Sequence, residues 1–271
     1  MAPHVTAELQ VSPGHAADLG RRSTAGHLGL ADRQSAQKER ATILAELQDL
    51  HERLWAENER SVLLVLQGMD TSGKDGVIRR VLGGLNPQGC AVTAFKTPTT
   101  LEIAHDYLWR VHAACPARGR LGVFNRSHYE DVVTARVLAI IDDAHCRRRY
   151  RHVREFEQML TDEGTTLVKV FLHISRDEQR KRLQARLDDP TKRWKFQPED
   201  LETRKQWDGY HAAYDEAITE TSTDVAPWWI VPSDRKWVRD VVVATLLLET
   251  FRRLDPQFPP ADPSLDGVIV E

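Results

Sequence analysis

Ser61-Val62-Leu63-Leu64-Val65-Leu66-Gln67-Gly68-Met69-Asp70-Thr71-Ser72-Gly73-Lys74-Asp75 is the stretch on which the reading of this chain turns. The apolar run Val62 to Leu66 predicts a buried strand, and Gly68 to Lys74 follows it with Gly-x4-Gly-Lys spacing. Beyond it, Val77-Ile78-Arg79-Arg80-Val81-Leu82 reads as helix. Strand, glycine turn and helix start together make a phosphate-binding loop, or P-loop. Gly68 and Gly73 let the backbone wrap an anion, the loop N–H groups and the helix N-terminus hold it, and Lys74 adds a full charge. Two carboxylates disturb the pattern. Asp75 stands where such loops ordinarily carry Ser or Thr to ligate magnesium, and Asp70 lies inside the loop. Acids in a phosphate cradle repel the ligand unless a metal ion or further basic side chains intervene.

On either side of this stretch, apolar runs alternate with helical ones. Strands are expected at Ser61–Gln67, Ala91–Phe95, Leu121–Phe124, Leu167–Ile174 and Trp228–Val231. Helices are expected at Gln37–Asn58, Asp75–Leu85, Leu101–Ala114, Ala144–Leu160, Arg176–Leu187, Glu199–Thr219 and Lys236–Leu254. The predicted fold is α/β, a parallel five-stranded sheet sandwiched by helices. Ligands of such sheets bind beyond the carboxyl ends of the strands, so the loops after residues 67, 124 and 174 should gather on one edge. Ser175-Arg176-Asp177-Glu178 has the form of a capping box. Residues 1–35 lack periodicity and read as an extended or partly disordered arm. A single domain spans 36–260, with a lid at about 188–200, and 261–271 form a tail.

A net charge of −3 provides no global attraction to nucleic acid or an anionic membrane, so any polyanion site must come from local clustering. The spacing of Cys90, Cys115 and Cys146 is not that of a metal site and suits a reducing compartment. No run approaches the ~18 apolar residues of a membrane span, and Met1-Ala2-Pro3-His4 does not open a signal peptide. A cytoplasmic location is expected.

Asn125-Arg126-Ser127-His128-Tyr129-Glu130-Asp131 follows a strand, where a P-loop protein places its second acidic motif. Arg126 offers a planar fork of donors to phosphate oxygens. Glu130 and Asp131 read either as metal- or nucleophile-positioning acids or as first-turn acids of the next helix. Residues 176–195 carry eight basic side chains against four acidic ones, with Arg182 and Arg186 on one helix face. The run is either a solvated face or, with Lys192, Trp194 and Lys195 in the loop beyond, a lid that closes over phosphates. Lys96 and Thr97 follow the second strand and are placed to touch a nucleotide; a surface loop is the other reading. Arg147-Arg148-Arg149-Tyr150-Arg151-His152 suits an exposed helix or a subunit contact, and no stacking platform accompanies it that would suggest nucleic acid.

Gly68-Met69-Asp70-Thr71-Ser72-Gly73-Lys74-Asp75-Gly76, Phe124-Asn125-Arg126-Ser127-His128-Tyr129-Glu130-Asp131 and Asp189-Pro190-Thr191-Lys192-Arg193-Trp194-Lys195-Phe196 together resemble the Walker A, Walker B and lid motifs of the polyphosphate kinase 2 family. The similarity runs from about Val11 to Pro260. It implies a P-loop kinase fold like that of thymidylate kinase, dependence on Mg2+ (or Mn2+), and phosphoryl transfer between inorganic polyphosphate and purine nucleotides. It further implies that Asp70 positions the metal and the acceptor phosphate, that Lys74 binds phosphate, and that Arg126, Arg182 and Arg186 line the polyphosphate path. Lys192 and Lys195 join the phosphate-binding set, and Lys96, Thr97, Asn125 and Glu130 the nucleotide-binding one. Asn125 and Glu130 depart from many relatives and resemble the class III subgroup, which is associated with both AMP and ADP as acceptors. A homodimer or homotetramer is expected. The rival readings are an ATP-dependent kinase of a nucleotide or small metabolite, against which Asp75 speaks, and a non-catalytic polyanion-binding protein.

Overall fold

The computed structural model describes the backbone of residues 3–270 and the side chains of residues 6–270. Residues 1, 2 and 271, the extreme ends of the expected arm and tail, lie outside the described residues. Among the described residues six strands form one sheet: β1 (Gln10–Val11), β2 (Ser61–Gln67), β3 (Cys90–Ala94), β4 (Leu121–Asn125), β5 (Thr165–His173) and β6 (Trp228–Pro232). Their order across the sheet is β1-β6-β5-β2-β4-β3. The five expected strands are all present and mutually parallel. A sixth, β1, pairs antiparallel with β6, so the sheet is mixed and not the all-parallel five-stranded sheet expected. Two residues with no alternation beyond them carry no period-2 signal, which is why β1 is invisible in sequence.

The P-loop strand β2 is central, flanked by β4 and β5. The chain leaves β2 toward β3 on one side and leaves the adjacent β5 toward β6 on the other, and this reversal opens a crevice at the carboxyl ends of the strands. All seven residues of β2 are buried. Val62, Leu64 and Leu66 join one core with Leu47 and Leu54 of the helix Arg33–Glu57 and Val242 and Leu247 of Lys236–Leu254. Leu63 and Val65 face the other core, with Tyr150 and Val153 of Asp143–Asp162 and Tyr214 of Trp207–Thr221. Truncating such a leucine to alanine costs about 2–5 kcal/mol.

Several helices are shorter than their patterns. Leu101–Ala114 divides into Thr100–Ile103 and Trp109–Ala113, because Thr99 and Glu102 form a capping box and the Asp106 carboxylate accepts from the Leu108 N–H at 2.9 Å to begin a new turn. The helix after the P-loop passes from α form at Lys74–Val77 to π form at Ile78–Leu82. Glu199–Thr219 breaks at Gln206 into Glu199–Lys205 and Trp207–Thr221. At Ser175 the box is half formed: its hydroxyl accepts from the Glu178 N–H, but the Glu178 carboxylate pairs with Arg182 at 2.8 Å.

Of residues 1–35, read as an extended or partly disordered arm, Pro3–Leu9 form a short helix and residues 12–32 follow the body through turns and bends, tied to it. Val11, Ala17 and Leu19 are buried, the Leu19 N–H donates to Asp215 at 2.6 Å, and Thr24 bonds Asp234 at 2.7 Å. These bonds join an irregular segment to side chains distant in sequence, which no local pattern announces. Among the described residues no helix is long and apolar enough to cross a membrane, and the three cysteines are free thiols.

Candidate active site

The P-loop turns directly off β2. Gly68 has φ 142°, and a Cβ there would meet the Leu172 carbonyl at 2.7 Å. At Gly73, φ is 111° and a Cβ would collide with the Arg239 guanidinium. Gly68 is therefore required on backbone and space alike, and Gly73 chiefly by its positive φ. The loop is braced from behind by two arginines. Arg182 donates through Nη1 to the carbonyls of Thr71 (3.0 Å) and Ser72 (3.1 Å), and Arg239 donates to the same Ser72 carbonyl at 3.1 Å. Carbonyls drawn outward leave loop N–H groups for an anion on the inner side.

Lys74 opens the helix and is buried, its Nζ donating to the Gly68 carbonyl at 2.6 Å. Burial, then the nearby Arg126 charge, lowers its pKa to about 8, against the opposing pull of Asp70, Glu130 and Asp75. The unfolded lysine titrates near 10.5, so between about pH 8 and 10.5 the unfolded chain holds the extra proton. This group therefore favours unfolding below pH 8, and its penalty disappears as pH rises toward 10.5. An anion bound beside Lys74 stabilises the ammonium and reverses the shift. We expect phosphate-chain binding near pH 8.5 to take up protons, seen in calorimetry as a heat that scales with the buffer's ionisation enthalpy. A heat independent of buffer would contradict this.

Opposite the loop, β4 ends at Asn125 and delivers Arg126, whose N–H donates to the Leu66 carbonyl at 3.1 Å and whose φ is 64°. Its Nη2 meets Asp70 Oδ1 at 2.6 Å. Burial works against the Arg126 charge, but Glu130 and Asp70 outweigh it and raise its pKa. Asn125 Nδ2 donates to Asp75 at 2.8 Å, so the misplaced loop carboxylate is joined to the second motif. Glu130 accepts from Thr134 at 2.8 Å. With the Gln67 amide turned so that its nitrogen faces Glu130, that nitrogen donates to Glu130 at 3.1 Å and its oxygen accepts from the Ser127 N–H at 3.0 Å. Gly68, Asp70, Arg126 and Glu130 then share a cavity of about 260 Å³ whose far wall includes Tyr210 and Tyr214.

Other expected residues lie elsewhere. Arg182, expected on the polyphosphate path, is buried, and its remaining nitrogens go to Glu178 and to the Ser233 and Asp234 carbonyls. Its place is behind the loop. Arg186 bonds the Lys195 carbonyl at 3.2 Å and stands 3.5 Å from Asp200. In the lid, Lys192 pairs with Asp189, and Lys195 stacks on the exposed Trp194 ring at 5.0 Å. Lys96 and Thr97 are exposed beyond β3 and do not line the cavity. Sequence reasoning missed Gln67, Arg239, Tyr210 and Tyr214. Only Arg239 left a signal, the basic start of the last helix at Arg235-Lys236.

Residues 30–259 match the family model described as Polyphosphate kinase 2 (PPK2). The chain belongs to the polyphosphate kinase 2 family. It is 50% identical over 239 residues to the AMP/ADP-polyphosphate phosphotransferase of Meiothermus ruber, covering 88% of this chain and 90% of that one. The ADP-polyphosphate phosphotransferase of Rhodopseudomonas palustris is 42% identical, with 96% and 94% covered. Among solved structures, polyphosphate kinase 2 from Arthrobacter aurescens TC1 superposes with a TM-score of 0.92 at 43% identity, over 95% of this chain and 92% of that one. The Arthrobacter structure thus shares the fold described above, in which β4 is the strand expected to carry the Walker B motif.

Proposed function

We propose that this enzyme transfers a phosphoryl group from inorganic polyphosphate to AMP and ADP, reversibly, with GMP and GDP as further acceptors. The observation that carries the reading is the 2.6 Å pairing of the loop carboxylate Asp70 with Arg126, in a chain half identical to an AMP/ADP-polyphosphate phosphotransferase. An ordinary ATP-dependent P-loop has no acid at the first position and keeps a hydroxyl at the second, where this chain has Asp75 held by Asn125.

Phosphoryl transfer asks mainly for alignment and charge neutralisation. Lys74 and the loop N–H groups hold the acceptor's terminal phosphate, and Arg126 neutralises the group in transfer. Asp70 orients the attacking oxygen. Tyr210 and Tyr214 close the cavity against water. Asp70 and Glu130 present hard oxygen donors to one space, and among the described residues no cluster of three or more His, Cys, Asp or Glu side chains suits a metal. That fits Mg2+ (or Mn2+), which is commonly held by one or two carboxylates with phosphates and waters completing the shell. When bound, the ion would supply neutralisation of the negative charge on the reacting phosphates. The proposed setting is a cytoplasmic homodimer or homotetramer.

Incubation with polyphosphate, Mg2+ and AMP, ADP, GMP or GDP, followed by chromatography of the nucleotides, tests the reading. ATP from ADP and ADP from AMP are the expected products. Conversion of ADP but never AMP rejects the class III assignment, and turnover only with ATP as donor rejects polyphosphate.

A further inference from the structure

Beneath the Walker B turn lies a charged cluster that the chemistry above does not use. Glu157 and Lys169 are both fully buried, with Lys169 Nζ 2.6 Å from Glu157 Oε2. Lys169 comes from β5 and Glu157 from the helix Asp143–Asp162. Glu157 Oε1 accepts from the Tyr129 hydroxyl at 2.8 Å and lies 3.3 Å from His128 Nε2. Lys169 donates also to the Tyr129 hydroxyl (3.0 Å) and to the Thr221 carbonyl (2.7 Å). Thr221 Oγ1 completes the set, 3.0 Å from the Tyr129 hydroxyl and accepting from Trp228 Nε1 at 3.0 Å.

A buried ion pair is a poor device for stability, since apolar residues of similar volume do as well or better. What it supplies is direction. His128 and Tyr129 sit between Arg126 and Glu130, in the 3-10 turn His128–Asp131. Thr221 ends the helix Trp207–Thr221, which carries Tyr210 and Tyr214. The cluster therefore pins two walls of the cavity to each other. Arg126 needs such an anchor, because its left-handed φ of 64° persists only where the surroundings over-determine it.

We propose that Glu157 is a positioning residue for phosphoryl transfer, acting through Tyr129 and His128 to hold Arg126 and Glu130 against Asp70. The proposal rests on the polyphosphate kinase reading above. Two charge-neutral double variants test it. In E157L/K169M the pair is replaced by apolar side chains and the turn loses its acceptor. In E157Q/K169M an amide oxygen remains for Tyr129 and His128. We expect the leucine variant to lose about 10²-fold in kcat, as for a misplacement of roughly 1 Å, with KM for ADP and polyphosphate nearly unchanged. The glutamine variant should recover most of that loss at a similar melting temperature. Wild-type kcat in the leucine variant, or a loss confined to KM, overturns the proposal. If that variant does not fold, Tyr129→Phe decides. A lower kcat with ADP binding retained in calorimetry supports the positioning role, and an unchanged kcat rejects it. Failure of the wild-type protein itself to use polyphosphate would count against the functional reading, not against this one.

Discussion

Lys74→Ala is expected to abolish phosphoryl transfer while the protein remains folded. The ammonium is the one full positive charge within the loop backbone and is buried against the Gly68 carbonyl. Removing it leaves that carbonyl without its donor, a cost of about 1–3 kcal/mol. It also removes a lysine that burial makes uncomfortable, as its lowered pKa records, so the net change in stability is small. The catalytic loss is not small, because no neighbouring cation can replace Lys74 from its position. Arg182 and Arg239 point at the loop carbonyls from behind, and Arg126 is engaged with Asp70. Asp70→Asn should be equally inactive for the complementary reason: an amide keeps the shape but neither holds a divalent cation nor orients the attacking oxygen as a carboxylate does. Turnover followed by nucleotide chromatography, beside a thermal melt, checks both. Near-wild-type turnover in either variant would overturn the assignment of this loop.

The loops that form the site were legible because each carries a backbone demand that few residues meet. Gly68 and Gly73 announce a turn at positive φ, and an apolar run of buried length before them announces the central strand. β2, β4, β5 and β6 were legible for the same reason: burial on both faces leaves near-continuous apolar runs between turns, with Lys169 in β5 the buried exception, whereas β3 at the edge is largely exposed. β1 was not legible, because two residues paired to Trp228 and Trp229 have no pattern of their own. Nor was the docking of residues 10–35, whose partners Asp215, Thr219 and Asp234 lie roughly 200 residues away.

Site residues divide in the same way. Asp70, Arg126 and Glu130 stand out by chemistry and line one cavity, while Lys74, equally conspicuous, lies buried beside it against the Gly68 carbonyl. Arg182 stands out by charge, yet it lies behind the loop, donating to backbone carbonyls. Charge alone does not distinguish an arginine facing substrate from one satisfying backbone carbonyls, and only the fold reveals that its three nitrogens are already committed. Gln67 was hidden for the opposite reason. It ends an apolar strand and reads as an ordinary strand terminus, yet its amide joins Glu130 to Ser127.

Arg126→Ala is expected to lower kcat by about 10³–10⁵, the range associated with loss of a transition-state arginine in phosphoryl transfer. The side chain is half-exposed at the cavity, so truncation removes little packing. The melting temperature should move only slightly. Two consequences separate this variant from a general weakening of the site. First, Asp70 loses its partner at 2.6 Å and is left beside Glu130 with less compensating charge. Binding of Mn2+ without nucleotide should therefore tighten, which electron paramagnetic resonance reads directly. Second, Arg126→Lys keeps the charge but not the planar fork that spans two phosphate oxygens, and such a change at a bidentate site is not conservative. The lysine variant should recover binding of the phosphate chain and only part of kcat. Equal kcat in the lysine and wild-type enzymes would mean that Arg126 acts as a point charge, and full activity in the alanine variant would remove it from the chemistry altogether.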